Sequence, residues 1–153
     1  MGCDVHMFTE RKNRKDKWVS ADNFTMDVEF EDAYTTELVK DMGRIEICSD
    51  RNYTLFGVLA GVRRDYDNHL PIRGIPNDAS ELVKREYKVW ECDAHTATWA
   101  TVTELEQHQR QTDSHQLHLM LEDLEQHFKS RWNFIVYDDN YKNNCRIIFW
   151  FDN

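Results

Sequence analysis

At 153 residues, with 41% hydrophobic and 12% aromatic content but only five glycines and two prolines, the chain has the material for one packed domain and the wrong composition for a disordered one. A net charge of −9 disfavours nucleic acid and anionic membranes as partners of the molecule as a whole, although a local basic groove would override that average. No apolar run approaches the ~20 residues of a membrane span, and Cys3, Cys48, Cys92 and Cys145 are too scattered for a disulfide framework, so a reducing, cytoplasmic location with free thiols is expected.

The opening Met-Gly-Cys lacks the Ser or Thr that N-myristoylation needs at position 6, where His6 stands. Residues 2–10 alternate as a strand does, with Val5 and Met7 to one face and Asp4, His6 and Phe8 to the other. Arg11 to Lys17 reads as a polar hairpin loop with five basic residues, a solvated tip, and Trp18 starts the return strand. Residues 22–37 carry six acids and no base, an irregular stretch with a short strand through Val28 to Phe30. Ser49 or Asp50 caps a helix over Arg51 to Arg64, with Leu55, Val58, Leu59 and Val62 inward.

Both prolines stiffen the loop 65–77. A helix follows from Asp78 to Trp90, with Ala79, Leu82, Val83 and Trp90 inward, then a loop from Glu91 to Trp99. A short helix after Thr101 precedes a longer one from Asp113 to about Ser130 on the stripe Leu117, Leu121, Leu124 and Phe128. Strands at Phe134–Tyr137 and Cys145–Phe151 close the chain. The pattern predicts a single α+β domain over 1–153: one mostly antiparallel sheet containing the N-terminal and C-terminal strands, with helices packed on one face.

One local pattern occurs twice, as Cys3-Asp4-Val5-His6 and Cys92-Asp93-Ala94-His95. On an extended strand Asp4 and His6 face the same way and Cys3 looks away. If the second block closes over the first, Asp4, His6, Asp93 and His95 form a mixed N/O site suited to Zn, Mn or Fe that could activate water. A two-Cys, two-His structural zinc would instead need both blocks to be turns. Short patterns of common residues also recur by chance. Arg51 and Arg73 lie where they could hold a phosphate, Tyr53 or Trp99 where they could stack on a base, and His69, near Asp65 and Asp67, where it could act as a general base. For each arginine surface ion pairing is the competing reading. His108, His115, His118 and His127 read as solvated. Gly-x-Ser-x-Gly and phosphate-binding glycine loops are absent from the sequence.

The segments Met-Gly-Cys-Asp-Val-His-Met, Arg51-Asn52-Tyr53 through Arg63, Pro71-Ile72-Arg73-Gly74-Ile75-Pro76 and Phe149-Trp150-Phe151-Asp152-Asn153 together resemble a family of small phage and prophage proteins that open with Gly-Cys-Asp-Ile-His. That family commonly reads Asp-Gly-His-Ser-His-Ser-Trp where this chain has Asp93-Ala94-His95-Thr96-Ala97-Thr98-Trp99, so Ala97 replaces a histidine. The resemblance implies a phage protein in an infected bacterial cell and names no mechanism. Two functions follow as expectations. One is a metal-dependent hydrolase of a small phosphorylated or nucleotide substrate, such as a host-defence signal. The other is a non-catalytic anti-defence protein that sequesters a signalling nucleotide or blocks a host defence protein. A homo-oligomer is compatible with either.

Overall fold

Alternation along the first strand decides which side chains meet which helix. In the computed structural model, which describes residues 2–24, 44–45, 47–131 and 139–153, strand β1 (Asp4–Lys12) pairs with β2 (Trp18–Ser20) on one side and β6 (Cys145–Asp152) on the other. Strand β5 (His95–Thr101) pairs with β6, giving an antiparallel four-stranded sheet in the order β2-β1-β6-β5. The first and last strands are therefore its central neighbours, as expected. A two-stranded pair, β3 (Asn23–Phe24) with β4 (Arg44–Ile45), stands apart from it. The expected strands at Val28–Phe30 and Phe134–Tyr137, and most of the acidic stretch, lie outside the described residues.

Four helices are described: α1 (Tyr53–Ala60), α2 (Glu81–Trp90), α3 (Val102–Thr112) and α4 (His115–Arg131). The α+β class holds, but the helices do not share one face. Val5, Met7, Ile147, Phe149 and Phe151 pack against α1, α3 and α4, whereas Phe8, Ile148 and Trp150 pack against Leu82 and Val83 of α2. The reason is legible in β6: Ile147 to Phe151 is apolar at both parities, the pattern of a strand covered on both sides.

Local signals account for most helix ends. Asn52 caps α1 through Leu55 N–H, and Gly61 ends it at φ 68°, so the helix is shorter than the expected 51–64. Thr101 and Glu104 form a reciprocal capping box for α3. Expected as loop, residues 95–99 are strand. Their threonines and alanines give a weak strand signal, and pairing with β6 overrides it. His108 and His127, expected in solvent, are buried because each ring bonds a backbone carbonyl, Val58 O at 2.8 Å and Ala21 O at 2.6 Å.

Arg146 fixes helix α2 on the sheet. The residue is 1% exposed, and its guanidinium bonds Glu10 Oε1 from Nε at 2.8 Å and Asp78 Oδ1 from Nη1 at 3.0 Å and lies 4.0 Å from the centre of the Trp18 ring. Burial raises the Glu10 carboxyl, and the Arg146 charge opposes that shift. The other Glu10 oxygen accepts from Ser80 N–H, the N-cap of α2, at 2.7 Å. Ten helical residues rise about 15 Å, and four strand residues from Glu10 to His6 span about 13 Å. The helix anchored at Glu10 thus delivers its last residue, Trp90, to His6.

Candidate functional site

At the end of the sheet where β1 begins and β6 ends, Asp4 lies opposite Asp152 and His6 opposite Trp150. These four share the face covered by α2. His6 Nε2 is 2.9 Å from Asp152 Oδ2, and the two side chains are 16% and 13% exposed, shielded yet reachable. Asp152 also accepts from Asp4 N–H through Oδ1 at 3.2 Å. The imidazole rests against Trp90, centroids 4.3 Å apart, and against Trp150 at 5.8 Å. A carboxylate accepting the Nε2 proton holds the imidazole as the tautomer whose lone pair is on Nδ1.

Beside this pair, Arg51 grips Asp4 with both fork positions, Nε to Oδ1 at 2.5 Å and Nη2 to Oδ2 at 3.0 Å. The guanidinium holds the Asp4 carboxyl below its usual range, and Asp4 raises Arg51 in turn. Gly2 makes room for the fork: a Cβ there would overlap the Arg51 guanidinium. Tyr53 Oη accepts from Cys3 N–H at 3.4 Å, and Arg63 lies over the Tyr53 ring at 5.9 Å. Arg63 has φ 63°, unusual for a residue with a side chain. Burial pushes the Cys3 thiol up despite its hydrogen bond with Arg63, so it is poorly suited to act as a thiolate nucleophile.

The structure does not unite the two Asp-x-His blocks. His95 is in register with Phe151 and stacks on it at 6.0 Å, on the face opposite His6 and across the intervening strand β6. A bulge at Thr96, φ 55°, accompanies this placement. His95 Nδ1 meets Thr96 Oγ1 at 2.9 Å, and its buried Nε2 has no hydrogen-bond partner among the described residues. Asp93 is exposed in the turn closing α2, its N–H donating to Trp90 O at 2.8 Å. With Asp4 held by Arg51 and His6 by Asp152, the four do not fit one Zn, Mn or Fe shell. Among the described residues no three His, Cys, Asp or Glu side chains are arranged to hold a metal ion.

Arg73 and Trp99 lie elsewhere. Trp99 is level with Ile148 on β6, four residues or about 13 Å along the strand from Asp152. Two guanidiniums already lie over its ring, Arg73 at 4.7 Å and Arg146 at 5.3 Å. Arg73 bonds Glu104 through both forks, at 3.1 and 2.8 Å. Arg51 and Arg73 therefore do not clamp one phosphate. His69 Nδ1 donates to Leu70 O at 2.7 Å and its ring packs over Gly61, with neither Asp65 nor Asp67 hydrogen-bonded to it.

The Arg73–Glu104 pair carries a pH prediction. Burial raises Glu104, but the Arg73 fork and the Thr101 N–H outweigh it and hold the carboxyl below its usual range. A lowered folded-state pKa contributes stability above the unfolded value that is lost as pH falls through the folded one. For so exposed a pair the contribution is under ~1 kcal/mol. Urea unfolding of Glu104→Gln between pH 3 and 6 should show a flatter acid limb than wild type; an unchanged limb would count against the pair.

The sequence placed Trp90 inward and Trp150 and Asp152 in a family-like ending, but named none of the three as a site residue. Strand parity near the end of β6 was the available signal for Asp152, but only register places it beside Asp4. Comparison with protein-family models, curated proteins and solved structures finds no match. The class rests on the chain's own geometry: an α+β protein with a carboxylate-held histidine at the sheet end. No helix among the described residues is long and apolar enough to cross a membrane.

Proposed function

We propose that the chain hydrolyses a small phosphorylated or nucleotide substrate, with His6 as general base, Asp152 as the group that orients it, and Arg51 as the phosphate-binding residue. The observation that carries this reading is the 2.9 Å contact between His6 Nε2 and Asp152 Oδ2, partly shielded beside an arginine fork. Asp152 leaves Nδ1 free to take a proton from water as its oxygen attacks phosphorus. The P–O bond to the leaving group breaks, and the imidazolium, stabilised by Asp152, returns its proton to that group. A substrate phosphate would compete with Asp4 for the Arg51 fork, whose planar geometry suits either anion. Trp90 screens the imidazole from bulk water. The phage resemblance supplies a setting, a host-defence signal as substrate, and no metal is needed for these steps.

The test is turnover of p-nitrophenyl phosphate, bis(p-nitrophenyl) phosphate and a panel of linear and cyclic nucleotides by wild type and His6→Gln. Turnover of one of them that disappears in the variant is the expected result. Binding without turnover would move the protein to the sequestering class, and equal rates in the two proteins would refute the role of His6.

A further inference from the structure

The basic residues of this acidic chain are unevenly placed. Arg11, Lys12, Arg14, Lys15 and Lys17 stand with a single acid, Asp16, in seven consecutive residues of a chain whose net charge is −9. They occupy the β1–β2 hairpin, whose tip is held rather than loose. Asn13 Oδ1 accepts from Lys15 N–H at 2.9 Å and from Lys17 N–H at 3.0 Å, Asn13 N–H donates to Lys17 O at 2.8 Å, and Asp16 turns the chain at φ 60°. Arg11 is 3% exposed and belongs to the interior, whereas Arg14, Lys15 and Lys17 are exposed.

A solvated tip in a chain with 28 acids and 19 bases would be expected to gather carboxylates around its cations. Among the described residues only Lys12 has one, Asp16 at 3.4 Å, and Arg14, Lys15 and Lys17 form no ion pair there. Next to the tip, Trp18 lies under Lys12 at 5.3 Å, a half-buried aromatic at the base of the cationic turn. A two-stranded ribbon ending in closely spaced, exposed cations on an ordered turn has the shape and charge to lie along a phosphodiester backbone. Acidic surfaces elsewhere on the molecule would keep that contact confined to the hairpin.

We infer that the β1–β2 hairpin is a nucleic-acid contact that grips phosphates through Lys12, Arg14, Lys15 and Lys17. It rests on none of the chemistry at His6. The experiment is fluorescence anisotropy with labelled oligothymidylate and a labelled DNA duplex, which separates single from double strands, run from 50 to 200 mM salt. With about four phosphate contacts on a single strand, affinity should fall about 50-fold over that range. The triple variant Arg14→Glu, Lys15→Glu, Lys17→Glu, altered only at exposed positions, should bind at least tenfold more weakly at 50 mM salt. No binding of either probe at 50 mM salt, equal binding by the triple variant, or capture of phosphatidylserine vesicles in place of both oligonucleotides would overturn the inference.

Discussion

An Asp152→Asn variant should lose about two to four orders of magnitude in turnover on any substrate found, with little change in fold. Asparagine is nearly isosteric and can still accept the Asp4 N–H that Oδ1 accepts now, so the end of β6 stays paired with β1. What it loses is charge. The imidazolium formed at His6 then has no anion beside it, and an amide NH2 turned toward Nε2 selects the wrong tautomer. The double variant His6→Gln, Asp152→Asn should be no slower than His6→Gln alone, because the two act as one unit. A purely structural role for the pair predicts the reverse pattern: lowered unfolding midpoints with unchanged turnover per folded molecule.

The largest loss of stability should come from Arg146→Met. The guanidinium is buried and neutralises Glu10, which is itself 0% exposed; removing it leaves a carboxylate uncompensated in the interior. Breaking a buried pair in this way costs about 3–5 kcal/mol, a large fraction of the stability of a domain this size. Replacing both partners, as Glu10→Leu with Arg146→Met, should recover part of that loss because no charge remains buried. It should not recover function fully. Glu10 also accepts the Ser80 N–H that seats helix α2, and α2 carries Trp90 to His6. Urea titration of the single and double variants separates these effects, and a destabilisation under ~1 kcal/mol for Arg146→Met would contradict the account.

Much of the architecture could be read from pattern. Period-two alternation placed Val5 and Met7 opposite Asp4, His6 and Phe8, and helical spacing picked out Leu82, Val83, Leu117, Leu124 and Phe128, all buried. What pattern does not encode is register. Nothing local says that Asp152 lands beside Asp4, or that Trp90, ten residues into a helix, comes to rest on His6. The repeated Cys-Asp-x-His motif misled for the same reason. Its second copy straddles a helix-ending turn and a bulged strand, so the same four letters point to the opposite face of the sheet. Arg146 and Glu10 were missed as partners because hydropathy places both at the surface, while their mutual pairing lets them be buried.

Ligand should bind where β1 begins and β6 ends. Amide and side-chain NMR spectra recorded while inorganic phosphate, and then AMP, is added to the wild-type protein locate the site. Shifts should concentrate at residues 2–6, Arg51, Tyr53, Trp90 and 150–152, with the Arg51 Nε–H signal moving as Asp4 is displaced. Shifts confined to Arg73, Trp99 or His69, with residues 2–6 and 150–152 unmoved, would place the ligand elsewhere and overturn the role of His6 and Arg51.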